Sequence, residues 1–397
     1  MIKWPIVTVV VALNLVMLSG CTSVPKNSAL GEIGAYSINS SVDSFYAKYY
    51  LEQYLTQQFT NSALDKKIST ALSHKEMTHK SLQELSQTFS PDFATLYLTQ
   101  KLLSDSRNRQ VHSIFNQELI RAHDAVVQQM VGSKVIEDDY LVLFVPGWDY
   151  VDSGAKTGAD FAKPRRLLSE MGIRNHLIEI NPIGSVEENA RVVADHILSY
   201  ANTGEKVLIV SASSGSPAVA LSLGETLTSS EVSHVTGWLN IGGILRGSPV
   251  IDHYKKWPQR LVFNIFTWIQ GWDTKNIETM SEEKLRARYE QLDFPKTMAI
   301  VNYIGIPLSG QITPRAKDGY EIMSQAGPND GLTMILDEMV ADTPTIVSLG
   351  FDHFVNEDPE INLKTVALTR TMFRLMTQQA LQTKHVHFNS DISARQR

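Results

Sequence analysis

The chain has 397 residues, of which 43% are hydrophobic and 20% are charged, and its formal net charge is −6. These values are typical of an ordinary globular protein, and the lack of a basic excess argues against a nucleic-acid partner. The single cysteine, Cys21, excludes an internal disulfide.

The N-terminal segment has the pattern of a cleaved signal. Lys3 precedes an apolar run over residues 6–18, and small residues follow this run just before Cys21. The run is short for a bilayer span, and small residues are typical of a cleavage site. We therefore predict a signal peptide over residues 1–20, with an uncleaved N-terminal anchor as the alternative.

Leu18 to Cys21, with the sequence LSGC, resembles a bacterial lipobox. The resemblance implies a diacylglycerol anchor on Cys21, and hence a lipid-anchored protein of the bacterial cell envelope. Thr22 after the cysteine favours the outer membrane, facing the periplasm, if the source is Gram-negative.

Two regions of different texture follow the signal. After a predicted linker over residues 21–39, apolar residues recur at helical spacing, as in FYAKYYLEQYL and FATLYLTQKLL. This spacing predicts a helical accessory region over residues 40–137.

From residue 138 to about residue 390, apolar runs of strand length alternate with helical stretches. The runs are YLVLFVPG, NHLIEI, KVLIVSAS, VTGWLNIGG, TMAIVNYIG and TPTIVSLG. The alternation predicts an α/β domain with a mainly parallel sheet and helices on both faces.

The third of these runs ends in SASSG, which fits the strand-to-helix elbow GxSxG with Ser213 in its centre. The tight turn needs small residues on both sides of the nucleophile, and Gly215 meets that need. Ser211 replaces the usual first glycine but is also small.

Ser214 and Ser216 are alternative nucleophiles, since each also has small neighbours two residues away. We prefer Ser213 because the strand is expected to end at Val210. A serine-rich turn without catalytic function is the other interpretation of this segment.

Later strand ends supply an acid and a base. Asp330 lies in the turn AGPNDGL, which comes after the apolar run TMAIVNYIGIP, and His353 lies in FDHFVNEDP, which follows the run TPTIVSLG. The order Ser213, Asp330, His353 is the order of a hydrolase triad. Asp352 is an alternative acid, although an immediate neighbour of His353 is poorly placed to reach its ring.

Residues 138 to about 385 resemble the lipase and esterase branch of the α/β hydrolase superfamily. The segments that carry the resemblance are FVPGW, SASSG, IGGILRGSP, NDGL and DHFVNEDP. The chain departs from the family pattern at Ser211 in the elbow and at Pro146, where many lipases carry a histidine before the oxyanion glycine.

The resemblance implies an α/β-hydrolase fold and an acyl enzyme on Ser213, with His353 as base and Asp330 orienting it. It also implies an oxyanion hole made by the backbone amides of Trp148 and Ser214. This chemistry requires no metal and no organic cofactor.

An insertion over about residues 250–296 lies where this superfamily often carries a helical cap. Its first half is rich in aromatic residues: Trp257, Phe263, Phe266, Trp268 and Trp272. These residues could pack on the core, line an acyl pocket as a lid, or contact the membrane, and the sequence does not separate the three.

The sequence therefore predicts a membrane-anchored serine hydrolase that acts on carboxylic esters of ester or lipid-like small molecules. An amidase or thioesterase would use the same triad. The alternative of a different class is a non-catalytic envelope lipoprotein that keeps a hydrolase fold for binding.

Overall fold

The computed structural model describes residues 27–127 and 140–395. The predicted signal peptide and Cys21 lie outside the described residues. Within these residues, no helix is both long enough and apolar enough to cross a bilayer.

A six-stranded parallel sheet forms the centre of the molecule, in the order β4-β3-β5-β6-β7-β8. Strands β3 and β5 are apolar along almost their whole length because helices cover both faces of the sheet. The strands are β3 (Tyr140–Val145), β4 (Asn175–Leu177), β5 (Lys206–Ala212), β6 (Val235–Ile241), β7 (Ala299–Ile306) and β8 (Thr345–Leu349).

The helices on the two faces pack against alternate residues of the same strands. Val142 and Phe144 of β3 belong to one core, and Leu141, Leu143 and Val145 belong to the other. The first core contains α5 (Ser106–Val127), α7 (Ala162–Glu170) and α15 (Ile361–Arg395), and the second contains α8 (Val186–Tyr200) and α9 (Gly215–Leu221). This doubly covered sheet confirms the predicted α/β-hydrolase architecture.

The stretch predicted as a linker is a β-hairpin from Asn27 onward, so that prediction is wrong for residues 27–39. Strands β1 (Asn27–Ile33) and β2 (Tyr36–Val42) pair antiparallel around a two-residue turn that contains Gly34. Gly34 has φ +62°, which a hairpin turn of this length requires. The strands are largely polar because only one side of the hairpin packs on the protein.

Within the region predicted as helical, residues 40–42 belong to β2, residues 45–127 form mainly helices, and residues 128–137 lie outside the described residues. Its helices are α1 (Phe45–Tyr49), which continues as a π-turn over Tyr50–Tyr54, α2 (Ser62–Leu72), α3 (His79–Thr88), α4 (Pro91–Ser104) and α5. Tyr50 and Phe93 from these helices share one core with Ile304 of β7 and Val347 of β8. The N-terminal region is therefore packed onto one edge of the sheet.

We call the polar contacts between this region and the sheet edge the N-terminal seam. Its main part lies along β8, the last strand of the sheet, whose backbone amides would otherwise lack partners. Asn108 Oδ1 accepts from the amide of Thr345 at 2.8 Å, and His112 Nε2 accepts from that of Val347 at 3.0 Å. Two side chains one helical turn apart thus replace a neighbouring strand.

The seam also contains two titratable groups with shifted pKa values. Burial lowers the pKa of His112 to about 4, so its ring is neutral and its Nδ1–H donates to the Tyr36 hydroxyl at 3.0 Å. Asp92 accepts from the Asp43 amide at 2.7 Å and from the Ser309 amide at 2.8 Å. Burial, and then the charge of Asp43, raise the pKa of Asp92 to about 7.

Between β6 and β7 the chain forms four short helices in the stretch predicted as an insertion. They are α10 (Pro249–Lys255), α11 (Gln259–Gln270), α12 (Thr274–Glu278) and α13 (Glu282–Tyr289). The remaining helices are α6 (Tyr150–Thr157) and α14 (Lys317–Met323).

Candidate active site

Ser213 stands in the turn between β5 and α9, with φ +50°. This left-handed conformation costs energy for a residue with a Cβ, and such strain is concentrated at functional sites. A Cβ on Gly215 would lie 2.3 Å from the carbonyl oxygen of Pro146, so only glycine fits there. The turn is thus a strained elbow with Ser213 at its tip.

The strand runs to Ala212, so the predicted end at Val210 is wrong by two residues. Ser211 is consequently a strand residue and is fully buried. Its Oγ accepts from the indole N–H of Trp238 at 2.8 Å and lies 2.9 Å from the Oγ of Ser216. A serine replaces the usual elbow glycine here because it has polar partners inside the protein.

These contacts also separate the alternative nucleophiles. Ser216 is fully buried against Ser211, away from the cavity described below. Ser214 lines that cavity, but its hydroxyl has no hydrogen-bond partner within residues 27–127 and 140–395. Only Ser213 has a base at hydrogen-bond distance.

The structure brings the three predicted triad residues together. Ser213 Oγ lies 2.8 Å from His353 Nε2, and His353 Nδ1 lies 2.5 Å from Asp330 Oδ2. The Asp330 and His353 side chains are almost completely buried. The imidazole therefore stands between the hydroxyl and the carboxylate, in the arrangement that removes a proton from serine.

Asp330 is held by its own turn. Its Oδ1 accepts from the amides of Leu332 and Thr333 at 2.8 and 2.7 Å, which leaves Oδ2 for the histidine. The backbone carbonyl of Asp330 accepts from the His353 amide at 2.8 Å, so acid turn and histidine loop are also joined through the main chain.

Asp352, the alternative acid, has a different role. Its two carboxylate oxygens accept from the amides of Thr313 and Phe354 at 2.7 and 2.9 Å, and the residue is buried. Asp352 stabilises the conformation of the histidine loop through these hydrogen bonds, and it acts on the His353 ring only through its charge.

The pKa of His353 is raised above its usual value. Burial opposes the charged ring, but the charge of Asp330 and the hydrogen bond from it outweigh that effect, and the charge of Asp352 adds to them. The site therefore stabilises the imidazolium that forms when the serine loses its proton.

The sequence analysis missed Glu338, which is fully buried next to the triad acid. No N–H or O–H group among the described residues donates to its carboxyl oxygens, which are within hydrogen-bond reach of the Asp330 carboxylate. Burial, and then the charge of Asp330 and a hydrogen bond to it, raise the pKa of Glu338 well above its usual value, which favours the neutral carboxyl. A glutamate in a polar stretch such as ILDEMVADT gives no sequence signal for this role.

The two predicted oxyanion donors border the triad. The amides of Trp148 and Ser214 donate to no acceptor among the residues that the structure describes. A Cβ at Gly147 would come within 3.3 Å of the Ser213 Cβ, so this loop passes close beside the nucleophile. Unpaired amides beside the attacking oxygen are what an oxyanion hole requires.

A cavity of about 530 Å³ opens over Ser213 and His353. Its lining is mostly apolar. It includes Phe161 just before α7, Phe354 of the histidine loop and Ile361 at the start of α15. The insertion contributes Ile251, Phe263, Trp272, Ile277 and Met280. Part of the aromatic insertion thus forms a wall of the cavity, as one of the three interpretations predicted.

No protein-family model matches the chain, and no curated protein matches it in sequence. Among solved structures it is similar to a metagenomic carboxyl esterase, with 13% identity, a TM-score of 0.49, and coverage of 62% of this chain and 77% of that one. A lipase of Bacillus licheniformis in mature form has 18% identity and a TM-score of 0.47, over 60% of this chain and 95% of that one.

Lipase 1 from Pelosinus fermentans is similar at 13% identity and a TM-score of 0.43, over 59% of this chain and 98% of that one. Identities and TM-scores at this level decide nothing about activity, which depends on the side chains at the elbow.

Proposed function

We propose that this protein is a serine hydrolase that cleaves carboxylic esters with an apolar acyl chain. The observation that carries the proposal is the 2.8 Å contact between Ser213 Oγ and His353 Nε2, on a strained turn that faces a cavity. The backbone of Ser213 keeps the strained value φ +50° only because the surrounding structure imposes it. Such strain costs free energy and is found mainly at functional sites, which favours a catalytic role for this serine.

In the proposed reaction, Ser213 Oγ attacks the ester carbonyl carbon as its proton passes to His353 Nε2. The carbonyl π electrons move to the oxygen, and the amides of Trp148 and Ser214 stabilise the resulting anion. When the carbonyl re-forms, the bond to the alcohol breaks and the alcohol takes the proton from His353.

Water then repeats these steps on the acyl enzyme. His353 accepts a proton from water as the oxygen attacks, and the carboxylic acid leaves as Ser213 regains its proton. Asp330 holds the ring in this orientation throughout. The imidazole of His353 transfers every proton in this cycle, so the proposed reaction requires no second acid or base.

The apolar lining of the cavity supports an ester or lipid-like substrate. A hydrophobic wall stabilises an apolar acyl chain and offers few polar contacts to a charged substrate. Amides and thioesters fit the same machinery.

We also propose that Cys21 carries a lipid anchor that holds the enzyme in the bacterial envelope. The pattern LSGC and the single cysteine support this part of the proposal. Labelling of the growing cells with radioactive palmitate, compared between the wild type and Cys21→Ser, tests it independently of activity.

A fluorophosphonate probe tests the hydrolase proposal, because it reacts only with an activated serine. We expect labelling of Ser213 in the mapped peptide, and loss of labelling in Ser213→Ala and His353→Ala. Ser216→Ala is the matched control in the same turn and should label normally, because the Oγ of Ser216 faces Ser211.

Labelled wild type justifies a panel of p-nitrophenyl esters graded by acyl length, with the corresponding anilides and thioesters beside it. A folded wild type that neither reacts with the probe nor hydrolyses any member of the panel would instead support the non-catalytic envelope protein.

A further inference from the structure

Helix α11 in the insertion is apolar on nearly all sides. Phe263 lines the cavity and Thr267 is buried, so one side of the helix faces the protein. A helix that is apolar all round is expected to be covered on every side. The opposite side of α11 nevertheless lies in solvent.

We call this exposed side the outer face and define it by five large side chains. Four of them follow the helical spacing i, i+4, i+7, i+8 and so lie in one stripe. The exposed fractions are 79% for Trp257, 58% for Leu261, 42% for Ile265, 79% for Trp268 and 66% for Ile269. A contiguous apolar patch of this kind marks an interaction surface.

Three exposed cations lie in α11 and beside its two ends. Arg260 is the one charged residue within α11, and the exposed Lys256 and Lys275 flank the helix. Within the described chain, none of these three cations has a carboxylate at ion-pair distance, whereas the neighbouring Lys255 is paired with Asp252 and Glu283. Asp273, next to the same end of the helix as Lys275, is also exposed, and its carboxylate accepts from the backbone amide of Lys275 at 2.9 Å, where it caps α12.

We propose that the outer face docks on the surface of an anionic phospholipid bilayer. Tryptophan side chains at both ends of an apolar stripe, bordered by cations, have the composition that a lipid–water interface favours. The three free cations would meet lipid phosphates. This surface is continuous with the proposed site, because the inward side of the same helix lines the cavity.

A second copy of the chain fits the outer face less well. A two-fold contact with parallel copies of α11 would bring Lys256 and Arg260 of one copy close to the same cations of the other, and an antiparallel contact would place them at the end of the helix that Lys275 flanks. Like charges at close range oppose such a contact, whereas anionic lipids neutralise them.

The docking uses none of the triad residues, so it is independent of the proposed hydrolysis. Ser213→Ala should dock as the wild type does. A wild type that hydrolyses esters but does not dock would overturn this inference alone. A wild type that docks but hydrolyses no ester would overturn the proposed function alone.

Quenching of tryptophan fluorescence by brominated phosphatidylcholine tests the inference on the full chain. Trp4→Phe is used as the background, because Trp4 lies in the predicted signal peptide. The liposomes contain phosphatidylglycerol and brominated phosphatidylcholine in equal parts. We expect strong quenching, and loss of most of it when Trp257 and Trp268 are replaced by phenylalanine, since the other tryptophans line the cavity or the core.

A second variant removes the apolar stripe but keeps both tryptophans: Leu261→Ser, Ile265→Ser and Ile269→Ser together. We expect weaker quenching because less apolar surface enters the interface. The matched control, Leu30→Ser with Phe45→Ser and Phe59→Ser, changes apolar residues of similar exposure in the N-terminal region, outside the insertion, and should quench as the wild type does. Circular dichroism checks that each variant is folded.

The electrostatic part is tested with Lys256→Gln, Arg260→Gln and Lys275→Gln combined. These changes should weaken quenching on phosphatidylglycerol liposomes and leave the weaker quenching on pure phosphatidylcholine unchanged. Quenching that survives the tryptophan replacements, or that the matched control reduces equally, would overturn the inference. A lipid-free dimer that only the stripe variant dissociates would overturn it in favour of a second copy.

Discussion

The carboxyl ends of the central strands and the N-terminal seam differ in how their key residues are connected to the sequence around them. At the strand ends, Ser213 follows directly on an apolar run and His353 follows shortly after one, while Asp330 lies in a turn of Gly, Pro and Asn beyond β7, and the elbow also contains glycine. At the seam, Asn108 and His112 lie in a polar helix, more than two hundred residues before their partners. The residues of the first group can be recognised from the sequence next to them, whereas the contacts of the second group are visible only in the folded structure.

Replacing Ser213 should have the largest effect on activity and the opposite effect on stability. With glycine at this position, we expect ester turnover to fall by about 10⁴-fold or more, because the nucleophile is lost. The free energy of unfolding should rise by about 1 kcal/mol, since glycine adopts φ +50° without strain.

Urea unfolding and an ester assay on the same preparations check both effects. Ser214→Gly is the control, because Ser214 has φ −66° and gains nothing from glycine. A Ser213→Gly variant that is inactive but less stable than the wild type would show that the elbow is not strained.

Replacing His112 should have the largest effect at the seam. In His112→Phe, the buried amide of Val347 loses its acceptor, so we expect a loss of about 1–3 kcal/mol in the free energy of unfolding. His123→Ala on the same helix is the control, because His123 forms only an exposed ion pair with Glu360.

The same substitution should change the pH dependence of stability. The folded-state pKa of His112 is lowered to about 4, below the unfolded value of about 6.5, so its contribution is present above pH 6.5 and is lost as the pH falls towards 4. The difference between wild type and His112→Phe should therefore shrink over that range. A constant difference from pH 7 to pH 4 would contradict a neutral buried ring.

Asp92 should contribute a smaller pH dependence of stability, with the opposite sign to that of His112. Its folded-state pKa is raised to about 7, so its contribution is largest below about pH 4, the usual aspartate value, and is lost as the pH rises through 7. Asp92→Asn should be less stable at every pH because the amide cannot accept both hydrogen bonds from Ser309. Relative to the wild type, however, its deficit should narrow between pH 4 and pH 7, as thermal melts at matched ionic strength would reveal.

The smallest effect is expected at Glu338. Because burial raises the pKa of this carboxyl and favours its neutral form, Glu338→Gln introduces a neutral group of similar shape, and kcat/KM should stay within about threefold. The acid limb of the pH profile should also stay in place, since the substitution leaves the charges of Asp330 and Asp352, which act on the His353 ring, unchanged. A limb displaced to lower pH would mean that Glu338 is ionised in the native site, because the substitution would then remove a negative charge that raises the pKa of His353.

These differences explain what could be read from the sequence. The α/β class and the triad order were predictable because buried parallel strands are continuous apolar runs, and turns need Gly, Pro and Asn. The hairpin over residues 27–42 was not, since one-sided packing leaves a polar sequence, and neither was Glu338, whose burial depends on strands far away in the chain. The strand end after Val210 was misplaced because Ser211 satisfies its hydroxyl inside the sheet.

The seam also constrains the order in which the protein can fold. Asn108 and His112 are synthesised 237 and 235 residues before the amides they receive. At a synthesis rate of about 5–20 residues per second, that separation corresponds to roughly 10–50 s. During this time β8 does not yet exist, so the first hundred residues of the fold reach their final packing only after nearly all of the chain has been made.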